Sequence, residues 1–152
     1  MFYGEYEHTI DAKGRLIIPS RLREVIVKRE LAPLTICQGL DQCLFLFGEK
    51  DWKEFEDRLR SLPLEQADAR RVTREFFSSA APCELDKQGR IMIPGKLRKY
   101  AALDGDVTVM GVLNRIEIWN RARWNEYHMV SSARFEDTAE HLWSLQTGGS
   151  GQ

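Results

Sequence analysis

Two segments decide how this chain folds: TIDAKGRLIIPSRLRE, residues 9–24, and ELDKQGRIMIPGKLRK, residues 84–99. Set 75 residues apart, they agree at seven of sixteen positions: Asp11/Asp86, Gly14/Gly89, Arg15/Arg90, Ile18/Ile93, Pro19/Pro94, Leu22/Leu97 and Arg23/Arg98. Apolar residues also coincide at Ile10/Leu85, Leu16/Ile91 and Ile17/Met92. The correspondence resumes further on at a spacing of 72, with Leu46/Ile118, Phe47/Trp119, Trp52/Trp124 and Phe55/Tyr127. Agreement of this extent marks an internal duplication. Each half of a 152-residue chain is too small to bury enough surface alone, so the halves must share a core.

Each copy carries the same local chemistry. DAKG and DKQG place Asp first and Gly fourth, which suits a type I turn closed by a glycine with positive φ. The flanking residues, EHTI and RLII in the first copy, then become antiparallel strands, LIIP and the following helix leucine building the core. Pro19 and Pro94 end the second strand, because proline cannot donate to a ladder. Ser20 is the expected N-cap of a short helix, and Gly95 a poorer one in the second copy. A second hairpin follows in each half, LTICQGLDQCLFLF and DVTVMGVLNRIEIW, and each runs into a longer helix. The clearest, Glu49 to Leu62, spaces Trp52, Phe55, Leu59 and Leu62 helically. A helical connector over 63–81 puts Ala69, Val72, Phe76 and Ala80 on one face. A C-terminal helix is expected over 134–146 and a disordered tail over 147–152.

The charge is local rather than global. The net charge is -1, yet residues 12–23 hold Lys13, Arg15, Arg21 and Arg23 without an acid. Residues 87–99 hold Lys87, Arg90, Lys96, Arg98 and Lys99, again without one. Two basic patches around a pseudo-two-fold axis are the footprint of a duplex nucleic-acid binder. A two-stranded ribbon fits the major groove, where arginine bonds guanine or neutralises phosphate. Taken alone, such charge runs also describe a solvated surface.

At Asp11-x-x-x-Arg15 and Asp86-x-x-x-Arg90, each followed by an apolar strand and Pro-x-x-Leu-Arg, the chain resembles the MraZ family of bacterial transcriptional regulators. The likeness extends to about Val130. It implies an α+β fold: a swapped-hairpin, AbrB-like β-barrel of two SpoVT/AbrB-type repeats, residues 5–52 and 81–124, intertwined into one domain with peripheral helices. It further implies a ring-shaped homo-oligomer, commonly an octamer, that binds short direct repeats in its own promoter and represses the division and cell-wall gene cluster. DNA-facing residues would be Lys13, Arg15, Arg21, Arg23, Lys87, Arg90, Lys96 and Arg98. Asp11, Gly14, Asp86 and Gly89 would shape the loops. The second copy departs from the first, with Gln88 in place of Lys13 and Lys87 in place of Ala12, so the loops are not expected to contact DNA equally.

Other classes find little support in the sequence. His8, His128 and His141 have no metal-ligand spacing, and no phosphate loop or nucleophile elbow occurs, so neither an enzyme nor a cofactor, metal or small-molecule substrate is expected. Cys37, Cys43 and Cys83 form no CxxC pair and read as buried thiols. The N-terminus has no signal-peptide character and no apolar run is long enough to span a bilayer, so the expected location is cytoplasmic and nucleoid-associated. The main alternative is a protein-binding module of the same fold, a toxin antidote or ring scaffold without operator specificity.

Overall fold

A computed structural model describes residues 1–150 and places eight strands and six helices along them. The first repeat contributes β1 (Phe2–Ile10), β2 (Arg15–Ile17), α1 (Ser20–Lys28), β3 (Leu34–Gln38), β4 (Leu44–Phe47) and α2 (Glu49–Arg60). After α3 (Ala67–Ser79), the second contributes β5 (Ala81–Cys83), β6 (Arg90–Met92), α4 (Gly95–Tyr100), β7 (Gly105–Leu113), β8 (Arg115–Asn120) and α5 (Arg121–Ala133). The last element is α6 (Phe135–Ser150). Contacts divide the chain into two units, 1–121 and 122–152.

In the first unit all strand pairs are antiparallel, in the order β5-β3-β4-β8-β7-β1-β2-β6, which forms a nearly closed barrel. The repeats exchange strands. β1 pairs along its whole length with β7 of the other repeat, from Phe2↔Leu113 to Ile10↔Gly105, and β5 returns the exchange by pairing with β3. Two central pairs join equivalent residues. Leu16 opposes Ile91 in β2–β6, and Phe45 opposes Glu117 in β4–β8. These are the sequence spacings of 75 and 72, so a pseudo-two-fold axis passes through both ladders. Neither half contains all the partners its own strands need, since β1–β7, β2–β6, β3–β5 and β4–β8 each join the two repeats, which is the physical reason the element is written twice.

The core lies on that axis. Leu16, Ile18, Ile91 and Ile93 are fully buried, and Leu22 of α1 and Leu97 of α4 close it from the helices. Burying each such side chain contributes roughly 1.5–3 kcal/mol. Alternation along β2 turns Ile17 outward, 43% exposed, so of the LIIP segment Leu16 and Ile18 build the core and Ile17 does not. Cys37, Cys43 and Cys83 are free and buried as expected; burial pushes the thiols of Cys37 and Cys83 up to about 12. The aromatic helices form a second cluster. Phe47 stacks on Phe55 at 5.0 Å between ring centres, and Phe55 meets Phe76 of α3 edge-on at 5.0 Å.

Several expectations need correction. Pro19 and Pro94, not Ser20 and Gly95, occupy the N-cap positions, and no side chain caps either helix. The fixed proline φ already leads the chain into the first turn, and the carbonyls of Pro19 and Pro94 accept the N–H of Arg23 and Arg98. The second copy does not form the closed first hairpin of the first. Ile10 pairs with Leu16, but β5 is committed to β3 and no ladder joins it to β6. On α3, Thr73 and not Val72 shares the inward side with Ala69 and Phe76, its hydroxyl donating to the Ala69 carbonyl at 2.8 Å. The segment expected to be a disordered tail, 147–152, is helical through Ser150, since α6 extends past 146; residues 151 and 152 lie outside the described residues. In the second unit neither α5 nor the described side chains of α6 include a buried residue.

Candidate nucleic-acid interface

Each DxxxR motif folds into the same small machine. Asp11 Oδ1 accepts the backbone N–H groups of Lys13 and Arg15, both at 2.9 Å, while Oδ2 accepts Arg15 Nε at 2.6 Å. Asp86 repeats this with Gln88 N at 2.8 Å, Arg90 N at 2.9 Å and Arg90 Nε at 2.8 Å. Backbone bonds from Asp11 N–H to the Arg15 carbonyl and from Gly14 N–H to the Asp11 carbonyl close the loop, and the second loop matches them. Gly14 and Gly89 sit at φ 84 and 78, the left-handed region the turn requires. A carboxylate that gathers so many donors is favoured in its charged form. The N–H of Arg15 above all, then its guanidinium and the N–H of Lys13, hold Asp11 below the ordinary aspartate range; Arg90 and Gln88 do the same for Asp86.

The ion pair engages the inner nitrogen of each arginine. Among the described residues the Nη atoms of Arg15 and Arg90 make no hydrogen bond, so each guanidinium is oriented by its aspartate while its outer donors stay available. Lys13 and Lys87 stand exposed on the same loops. Arg21 and Lys96, at equivalent places on α1 and α4, are exposed as well.

Arg23 and Arg98 are placed differently. Both are half-buried, and each lies against the loop of the other repeat: Arg98 over Gly14 and Arg23 over Gly89. Arg98 Nε donates to the Ile93 carbonyl at 3.0 Å. Reciprocal backbone bonds complete the cross-connection, Ile18 N–H to the Gly89 carbonyl at 3.0 Å and Ile93 N–H to the Gly14 carbonyl at 2.8 Å. The two loops are therefore built by both repeats at once. Nothing in the sequence spacing reports this, because the partners of each loop lie 66 to 84 residues away.

Between the loops runs the β2–β6 ribbon. Its partners are Arg15↔Met92, Leu16↔Ile91 and Ile17↔Arg90. Leu16 and Ile91 point into the barrel, so Arg15, Ile17, Arg90 and Met92 share the outer face. Arg15 and Arg90 sit diagonally across it, about 8 Å apart by strand geometry, a distance of roughly two base steps. One short surface thus presents both motif arginines, with a loop lysine at either end.

With this geometry in place, comparison with known proteins decides the family. The profile of the family described as "MraZ protein, putative antitoxin-like" matches twice, over residues 1–75 and 76–144. The chain belongs to the MraZ family. The two matches reproduce the duplication read from the sequence. "Transcriptional regulator MraZ" of Moorella thermoacetica is 54% identical over 142 residues, covering 93% of this chain and 96% of that protein. The proteins of the same name from Desulforamulus reducens and Heliobacterium modesticaldum are each 48% identical, covering 95% and 93% of this chain and 99% and 96% of their own lengths. MraZ is a non-enzymatic family. No helix among the described residues is long and apolar enough to cross a membrane, and no group of three or more ligating side chains there could hold a metal ion.

Proposed function

We propose that this MraZ chain is a sequence-specific, DNA-binding transcriptional regulator that grips duplex DNA through its paired loops. The observation that carries the reading is the repeated guanidinium: Arg15 and Arg90, each held through Nε by its own aspartate, on one ribbon face with their outer donors unbonded. A guanidinium so held is suited to bidentate contact with guanine or phosphate. Lys13 and Lys87 add charge at the loop tips, Arg21 and Lys96 meet phosphates beside them, and Arg23 and Arg98 act through the loops they pack on. The relatives' name, transcriptional regulator, supports the same reading.

Its finer form is repression of the chain's own promoter and of the division and cell-wall gene cluster, through short direct repeats engaged by a ring of subunits, expected to be an octamer. A cytoplasmic, nucleoid-associated location follows from that role. Self-association is supported by the second unit, whose helices leave Met129, Phe135 and Trp143 more than 60% exposed. A ring makes modest single-loop affinity sufficient, since linked sites gain roughly 10² to 10⁴ in avidity.

The test is a gel shift against the duplex upstream of the coding sequence, with a scrambled competitor at physiological salt. Wild type is expected to discriminate between the two. Arg15→Ala and Arg90→Ala are expected to weaken binding while lowering stability by no more than an exposed ion pair is worth, about 0–1 kcal/mol. If only the loop cations Lys13, Arg15, Lys87 and Arg90 meet phosphate, log affinity falls with log salt by about 4 per engaged subunit. Equal binding to the scrambled duplex, or unchanged binding by both variants, overturns the reading; the first points to a nucleoid-type or scaffold role instead.

A further inference from the structure

The outer face of the β2–β6 ribbon is not wholly polar. Ile17 is 43% exposed and Met92 53%, and they lie at opposite ends of its three-pair ladder. Each is the cross-strand partner of a motif arginine, Ile17 of Arg90 and Met92 of Arg15. Cross-strand neighbours on one face have Cβ atoms about 5 Å apart, so each apolar residue stands directly beside a motif arginine. The two are equivalent positions of the duplication, so both copies leave an apolar residue there although the strand faces water. A single exposed apolar residue means little. A pair of them, related by the pseudo-two-fold axis, occupies one diagonal of the face while Arg15 and Arg90 occupy the other, with Lys13 and Lys87 on the adjoining loops.

We infer that Ile17 and Met92 read thymine 5-methyl groups in the major groove of the DNA held by Arg15 and Arg90, and so contribute to sequence specificity. The framing charge excludes an ordinary apolar partner, which would strand the guanidinium groups in a desolvated contact, and selects a polyanion. Within duplex DNA the apolar feature a side chain can meet in the major groove is the thymine methyl, beside the acceptors arginine seeks on guanine. Met92 is level with Arg15 and Ile17 with Arg90 on a face only about 8 Å from corner to corner, so each apolar side chain reaches the base edges beside those its neighbouring arginine meets. Phosphate contacts fix where the ribbon lies; the base edges under Ile17 and Met92 determine which sequence suits it.

This inference rests on the proposed DNA-binding function, and its test separates the two. Duplexes are selected by the full-length chain from a random-sequence pool, then remade with deoxyuridine for each thymine in turn, which removes only the methyl group. Wild type is expected to lose about four-fold in affinity at each thymine that is read, the effect of leaving one methyl-sized group unburied. Ile17→Ser/Met92→Ser is expected to bind the thymine duplex more weakly by about ten-fold or more and to lose the thymine-over-uracil preference, with its melting temperature and its mass in solution unchanged. Ile17→Val is expected to keep most of the preference. Wild-type indifference to deoxyuridine, or an unaltered preference in the double variant, overturns the inference while leaving DNA binding intact. A change of mass in the double variant also overturns it, by showing these residues to be subunit contacts. A selection that enriches no sequence overturns the proposed function together with it.

Discussion

Gly14→Ala tests whether the first loop is held by the opposite repeat. At φ 84 an alanine is in the left-handed region, which costs roughly 1–2 kcal/mol. The added methyl would also lie 2.7 Å from Arg98 Nε, 2.9 Å from Arg98 Cζ and 2.9 Å from the Ile93 carbonyl oxygen. The arginine can swing aside; the carbonyl oxygen belongs to backbone that also receives Arg98 Nε and whose N–H holds the Gly14 carbonyl. Overpacking of that kind adds about 1–2 kcal/mol at the low end of its range, for a total of about 2–4 kcal/mol. In a chain of this size that lowers the melting temperature by about 4–16 °C. Gly95→Ala is the matched control. Its φ is not positive and the nearest atom, Arg98 Nη2, is at an ordinary 3.5 Å, so alanine there is expected to be neutral or to stabilise by up to about 1 kcal/mol. Arg98→Ala combined with Gly14→Ala should recover part of the loss but not all, because the carbonyl and the left-handed φ remain. Thermal melting by circular dichroism of the four proteins measures this. A Gly14→Ala chain that melts with wild type, or full recovery in the double variant, refutes the cross-repeat account of the loop.

Two further outcomes follow from the same geometry. Asp11 and Asp86 are held below the unfolded aspartate value of about 3.9, so their contribution is present above that pH and is lost as pH falls through the depressed folded values. Carboxyl titration by NMR should show both aspartates titrating below the ordinary range, with the Lys13, Arg15, Gln88 and Arg90 amides moving in step; ordinary midpoints for both would refute the loop chemistry. Leu16→Ala and Ile91→Ala each remove a fully buried side chain and should each cost about 2–5 kcal/mol in denaturant unfolding. The two residues are opposed across the axis, so their double variant should depart from additivity by about 0.5–3 kcal/mol, and strict additivity would argue against the shared core.

Much of this protein was legible in its sequence because duplication and turn chemistry are local. The Asp-to-Gly spacing dictates the turn, which has positive φ at Gly14 and Gly89, and each aspartate binds both backbone and arginine. Alternation in RLII and RIMI places Leu16, Ile18, Ile91 and Ile93 in the core, and the same alternation, followed strictly, would have put Ile17 and Met92 outside. Helix ends were less legible. Proline at the N-cap overrode the side-chain preferences of Ser20 and Gly95, and α6 continued through Gly148 and Gly149 despite glycine's weak helix propensity.

What tertiary structure alone decided is who pairs with whom. Composition and periodicity state that a segment wants a partner strand, but the free energy of pairing depends on which strand lies alongside, and here that strand belongs to the other repeat. Nine residues of β1 therefore lie on β7, β5 leaves its own hairpin for β3, and the N–H groups of Ile18 and Ile93 close the loops of the opposite copy. The same exchange turned Arg23 and Arg98 from free surface cations into braces for Gly89 and Gly14. Sequence alone determined that two basic loops would be made; only the fold, by burying Leu16 against Ile91, brought them to the two ends of one ribbon.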